Sequence, residues 1–211
     1  MELRFRANYE KAVQALNFFA NKSQGRINKM KAIKLIFFAD RYHLRKYGRP
    51  IIGDRYVAMP YGPVASQAKD LAESTVFLAD CQRDYVDRFL NRTDDNYVLV
   101  SIADVDEDVF SDSDIEALEF AWNEFGRFDE FALKDITHAY PEWSRHEAGL
   151  QEPTCKSVPM AYEDFFADAD PKDPLLRPLG SRDPFAGQQG GLELARHCAE
   201  ERTSIESLWD R

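Results

Sequence analysis

The chain has 211 residues, 44% hydrophobic and 13% aromatic, which is enough apolar surface for a packed core and far from a disordered composition. Its length suits one domain with an appendage. Its longest apolar run, Leu35 to Ala39, is a core fragment rather than a membrane span, and its opening MELRFRANYE lacks the apolar stretch of a signal peptide.

The net charge of −10 is unevenly spread. Residues 1–60 hold 13 Lys and Arg against 4 Asp and Glu, a local +9, and the remainder is −19. Such polarity favours charged partners or mutual attraction between the two parts. Cys81, Cys155 and Cys198 are odd in number and widely spaced, which reads as reduced thiols and a cytoplasmic protein.

In chain order, Asn8 to Asn21 carries Tyr9, Val13, Leu16 and Ala20 at helical spacing, with Gly25 as a stop. Asn28 opens a second helix that ends at Gly48. Pro50 to Pro60 turns extended, with Gly53-Asp54 as a tight turn. In "MPYGPV", Pro63 is expected as the first residue of a helix running through Leu71. Arg83 to Ile102 reads as a hairpin, RDYVDRFL and YVLVSI about the polar turn NRTDDN.

Ser111 with Asp114 predicts a capping box before a helix that buries Ile115, Leu118, Trp122 and Phe125 and stops at Gly126. Asp129 caps a further helix that Pro141 breaks, and Met160 to Asp168 forms a short one. Prolines 171, 174, 178 and 184, with glycines at 180, 187, 190 and 191, mark a linker over 169–191. The tail, 192–211, is weakly amphipathic through Leu192, Ala195, Ala199, Ile205 and Trp209, and is expected to stand apart from the core. The fold class is α+β, predominantly helical, with a small β-hairpin element and this C-terminal extension.

The second helix carries the question of function. At about 100° per residue, Ala32, Ile33, Ile36, Phe37, Leu44 and Tyr47 share a face that also contains Asp40 and His43. Lys31, Lys34, Phe38, Arg41, Tyr42 and Arg45 fall on the opposite arc. Asp40 and His43 are neighbours on the helix, and Asp135 and His138 repeat the spacing. Two D-x-x-H pairs invite a metal-dependent enzyme. The further carboxylates of a paired di-metal site are missing, and the alternative is a set of structural polar struts. The basic arc is either a surface for protein or nucleic acid, or core seen from a second side with its charged heads reaching water. No nucleophile motif, phosphate-cradling glycine loop or recognition-helix signature is present, and the net charge speaks against nucleic acid.

The runs NKMKAIKLIFFADRYHLRKYGRPI, YVAMPYGPV and LKDITHAYPEW, in that order, resemble the Panacea domain, the SocA-like antitoxin family of bacteria and phages. The resemblance covers roughly Asn8 to Asp168, taken as one domain over 1–168. It implies a mainly helical domain with a small β element and no known catalytic activity; no cofactor is expected, and the incomplete ligand set leads us to expect no metal. It also implies an antitoxin that binds and neutralises a protein toxin encoded by an adjacent gene. One family member acts instead as a proteolytic adaptor, which makes a cytosolic protease the alternative partner. On that reading Lys34, Arg41, Tyr42, Arg45, Tyr61, Gly62 and Pro63 are candidate toxin contacts, the arc residues only if exposed. Asp40, His43, Asp135, His138 and Trp143 are internal struts.

Overall fold

Helices α1 (Tyr9–Lys22) and α2 (Lys29–Tyr47) form where the apolar spacing predicts them. The computed structural model describes residues 2–152, 154–180, 183–185 and 189–209, except the side chains of 189–191 and 206–209. Each of the two helices opens on an asparagine that accepts from the backbone three residues on: Asn8 from Lys11 at 3.0 Å and Asn28 from Lys31 at 3.2 Å. These caps satisfy donors that have no partner inside the helix. Gly48 closes α2 in the left-handed region, where a side chain would be strained. Helix α2 is buried almost all round, from Ala32 through Arg41, and is the axis of the fold.

Strand β1 (Arg26–Asn28) separates these helices. Strands β2 (Tyr56–Met59) and β3 (Gly62–Ala65) follow as a tight hairpin in which Met59 faces Gly62. Next come α3 (Ser66–Glu73), α4 (Asp80–Phe89), β4 (Leu90–Arg92) and β5 (Val98–Ser101). Helices α5 (Asp112–Phe125), α6 (Glu130–His138), α7 (Pro141–Ser144) and α8 (Glu147–Leu150) lead to strand β6 (Val158–Pro159). Helix α9 (Gln189–Trp209) ends the chain. The described strands form two antiparallel three-stranded sheets, ordered β1-β5-β4 and β3-β2-β6. The fold is α+β and predominantly helical.

The Ser111–Asp114 capping box and the Asp129 cap are present as expected. Several expectations are corrected. Pro63 does not start a helix. It lies in β3, at the edge of its sheet, where a missing N–H breaks no inner ladder. The helix begins at Ser66 because the Asp54 carboxylate accepts from Gln67 N at 3.0 Å and Ala68 N at 2.8 Å.

The hairpin before Ile102 is present but shorter, Leu90–Arg92 against Val98–Ser101, and RDYVDRF is helical, not extended. Gln82 caps the helix start through Ala79 N, and Tyr85 and Val86 are buried, with the Tyr85 hydroxyl accepting from Gln14 of α1 at 3.2 Å. Burial against α1 overrides the strand preference of Tyr, Val and Phe. Pro141 opens α7 as well as ending α6, and Met160 to Asp168 narrows to a 3-10 turn over Tyr162–Phe166.

The linker and tail do not stand apart. Leu176 and Phe185 enter the core, and Ala195 and Ala199 of α9 pack there too. A side chain at Gly48 would collide with Ala195 and Cys198. Gly187 and the side chain of Trp209 lie outside the described residues. Among the described residues no helix is long and apolar enough to cross a membrane.

Candidate functional site

The basic arc of α2 faces inward. Lys34, Arg41 and Arg45 are all buried, so they are not surface contacts, contrary to the condition under which they were candidates. What covers Arg41 and Arg45 is chain more than a hundred residues downstream. Arg41 donates through Nη1 to Glu142 Oε1 at 2.6 Å and to the Phe165 carbonyl at 2.8 Å, and through Nη2 to the Ala167 carbonyl at 2.7 Å. Arg45 reaches the same two carbonyls at 3.1 Å and Asp168 at 2.6 Å. The Arg41 guanidinium also lies 4.5 Å from the Tyr140 ring centre and 4.9 Å from that of Phe185. Burial raises the Glu142 carboxyl against the pull of Arg41. Two planar forks thus staple the 165–168 segment to α2.

Lys34 is different. Its ammonium donates to the Pro63 carbonyl at 2.7 Å and has no carboxylate within ion-pairing distance among the described residues. Burial, with the Lys134 charge adding to it, pushes its pKa down to about 7. Above the lysine sits the hairpin tip. Gly62 has φ +94, and a Cβ there would come within 2.7 Å of Thr137 Oγ1 and 2.9 Å of Lys34 Nζ. Trp143 Nε1 donates to the Met59 carbonyl at 2.9 Å. The two strands are therefore pinned from beneath, one by Lys34 and the other by Trp143. Tyr61, between them, is 60% exposed, while Gly62 and Pro63 are buried.

The expected struts divide. Asp40 is one, but its partner is not His43: it accepts from Ile51 N at 2.7 Å, Ile52 N at 3.2 Å and the Tyr56 hydroxyl at 2.9 Å. Burial still raises it to about 7. His43 is pushed down to about 4 by burial and is neutral. Its Nδ1 faces the Arg49 carbonyl at 2.6 Å, which can only accept, so Nδ1 carries the proton and Nε2 accepts from Ser113 Oγ at 3.0 Å.

Asp135 is not internal. It is exposed and pairs with Lys134 at 2.8 Å. His138 lies flat on Trp143, rings 3.5 Å apart, and its Nε2 is buried without a partner. Burial, then the charges of Lys134 and Lys34, lower it to about 4. Among the described residues no three His, Cys, Asp or Glu side chains cluster as metal ligands.

Tyr42 is half-buried. Its ring stacks on Phe120 at 4.1 Å, and its hydroxyl joins Lys46 and Tyr47 around Glu116. Sequence reasoning passes over Glu142 and Thr137, and no local pattern marks either of them.

A family model described as Antitoxin SocA-like, Panacea domain, matches residues 33–144, more than half of the chain and the stretch that contains the hairpin, Lys34, Arg41, Glu142 and Trp143. No curated protein and no solved structure gives a match.

Proposed function

The chain belongs to the Panacea-domain, SocA-like antitoxin family, and from that premise we propose that it neutralises a cognate toxin by direct protein–protein binding at the hairpin tip. One observation carries this reading: an exposed tyrosine on a two-residue loop that is fixed from below by Lys34, Thr137 and Trp143. Tyrosine anchors are common centres of binding energy, and an anchor already held in place loses little freedom on association.

In this reading Tyr61 touches the toxin, and Gly62 and Pro63 set the loop that presents it. Tyr42 is a secondary contact at the rim. Lys34, Arg41 and Arg45 act from inside, as the frame on which the surface is mounted. The acidic remainder of the chain suits a basic toxin, whose approach it would steer. The meeting place is the cytoplasm of a bacterium or a phage-infected cell, and the toxin is the product of an adjacent gene.

Co-expression of the neighbouring gene with wild-type and Tyr61→Ala chains tests this. Wild type should rescue growth. The variant should melt like wild type yet bind the toxin at least about 2 kcal/mol more weakly, roughly thirtyfold. Full affinity in a folded Tyr61→Ala chain would move the interface elsewhere. Toxin that disappears only when a cytosolic protease is present would mean delivery for proteolysis instead.

A further inference from the structure

Arg49 lies fifteen residues beyond Lys34, roughly 20 Å along the α2 axis, so the far end of the helix is remote from the hairpin. There a cavity of about 180 Å³ is lined by four cations, Arg6, Lys11, Arg49 and Arg202, together with Phe5, Asn8 and the backbone stretch 50–53. These residues come from three separate parts of the chain, and the fold goes to some length to gather them. Asn8 N donates to the Ile52 carbonyl at 2.9 Å. Gly53, at φ +63, lies so close to the Arg6 carbonyl that any side chain would collide with it. The strap 5–8 is therefore laid directly along 51–53. Thr203 donates to the Arg4 carbonyl and accepts from Arg4 N, both at 3.2 Å, which brings Arg202 of α9 to the same place.

Beneath the cavity lies Asp114, fully buried. It holds Lys11 at 2.6 Å and Arg49 at 2.9 Å. One carboxylate thus fixes two cations, while Arg6 and Arg202 have no hydrogen-bond or ion-pair partner among the described residues. Four positive groups against one buried negative group leave an excess of three charges around a small cleft. Like charges gathered this way repel unless an anion lies between them. Guanidinium forks match the tetrahedral oxygens of phosphate, and the cavity volume suits a phosphate group with a small substituent rather than a polymer.

We propose that this cleft binds the phosphate group of a small molecule. The site is distinct from the hairpin and does not rest on the antitoxin reading.

Calorimetric titration of the full chain with inorganic phosphate, at ionic strength held constant with chloride, tests the assignment. The expected result is saturable binding of one phosphate per chain. Arg6→Gln combined with Arg202→Gln, both exposed positions, should weaken it at least tenfold, about one factor of ten per 1.4 kcal/mol lost. Tyr61→Ala should leave it unchanged. Adenosine monophosphate in a parallel titration distinguishes the sources: tighter binding than phosphate assigns the site to a phosphorylated metabolite, and equal binding assigns it to free phosphate. Failure to saturate would overturn the proposal, as would wild-type affinity in the double variant with an unchanged melting transition.

Discussion

Lys34 and Arg41 stand two turns apart on the same arc of α2, both buried and both cationic in sequence, yet their surroundings treat them in opposite ways. Arg41 meets a carboxylate and two carbonyls. Lys34 meets a single carbonyl, and its proton is held so weakly that it titrates near neutrality. An arginine cannot give up its charge, so burying one demands a counter-charge and several acceptors. A lysine can, and it tolerates a poorer setting. The staple is therefore a fixed cross-brace, whereas the hairpin foot is a lighter support set just beneath the proposed contact surface.

The sharpest way to break this contrast is at the staple. Glu142→Ala removes the counter-charge and leaves a guanidinium buried with carbonyls alone. The expected loss is about 3–5 kcal/mol in urea unfolding. A loss below about 1 kcal/mol would show that the carbonyls of 165 and 167 suffice and that the carboxylate is incidental.

At the hairpin foot, Gly62→Ala should cost less, about 2 kcal/mol. It combines a positive φ with a Cβ pressed on Thr137 and the flexible end of Lys34. Thermal melts of this variant and of Tyr61→Ala would separate the pinned glycine from its freely exposed neighbour, which should shift stability by no more than about 0.5 kcal/mol.

The most diagnostic effect is a dependence on pH. Between about pH 7 and 10.5, Lys34 is neutral when folded and protonated when unfolded. The unfolded chain then binds more protons, so this residue makes stability rise with pH across that window, and the gain is lost as pH falls towards 7. Lys34→Met should remove that slope, up to roughly 1 kcal/mol per pH unit. The wild-type minus variant difference, measured by urea unfolding from pH 7 to 10, reads it directly. A flat difference would mean that Lys34 keeps its proton and that the two cations are alike after all.

Much of the frame is legible in the sequence. Helices α1, α2, α5 and α6 follow from apolar spacing closed by Asn, Ser or Asp caps, all of them local signals. The errors have a common origin. Tyr85, Val86 and Phe89 look strand-like until α1 packs on them, and Pro63 looks like a helix start until Gly62 turns the chain. For Arg41 and Arg45 the sequence leaves surface and core both open, because their acceptors lie more than a hundred residues away, beyond any periodicity. The tail reads as separate because a Pro- and Gly-rich stretch precedes it, and the core contacts of Ala195 and Ala199 are again long-range. Of the candidate contacts, Tyr61 keeps its exposed position, and its supports at Thr137 and Trp143 come from the other side of the chain.

The staple also has a bearing on the order of events during folding. Its donors sit in the first quarter of the chain, and its acceptors lie between residues 142 and 168. Until that later stretch exists and has found its place, the most central helix carries two guanidinium groups with nothing to receive them. A nascent fragment ending before residue 142 therefore cannot close its interior. Contacts this far apart in sequence form slowly, because a long loop must be closed before they can form. Completion of the core is thus a late and concerted step, reached only when most of the chain has been made.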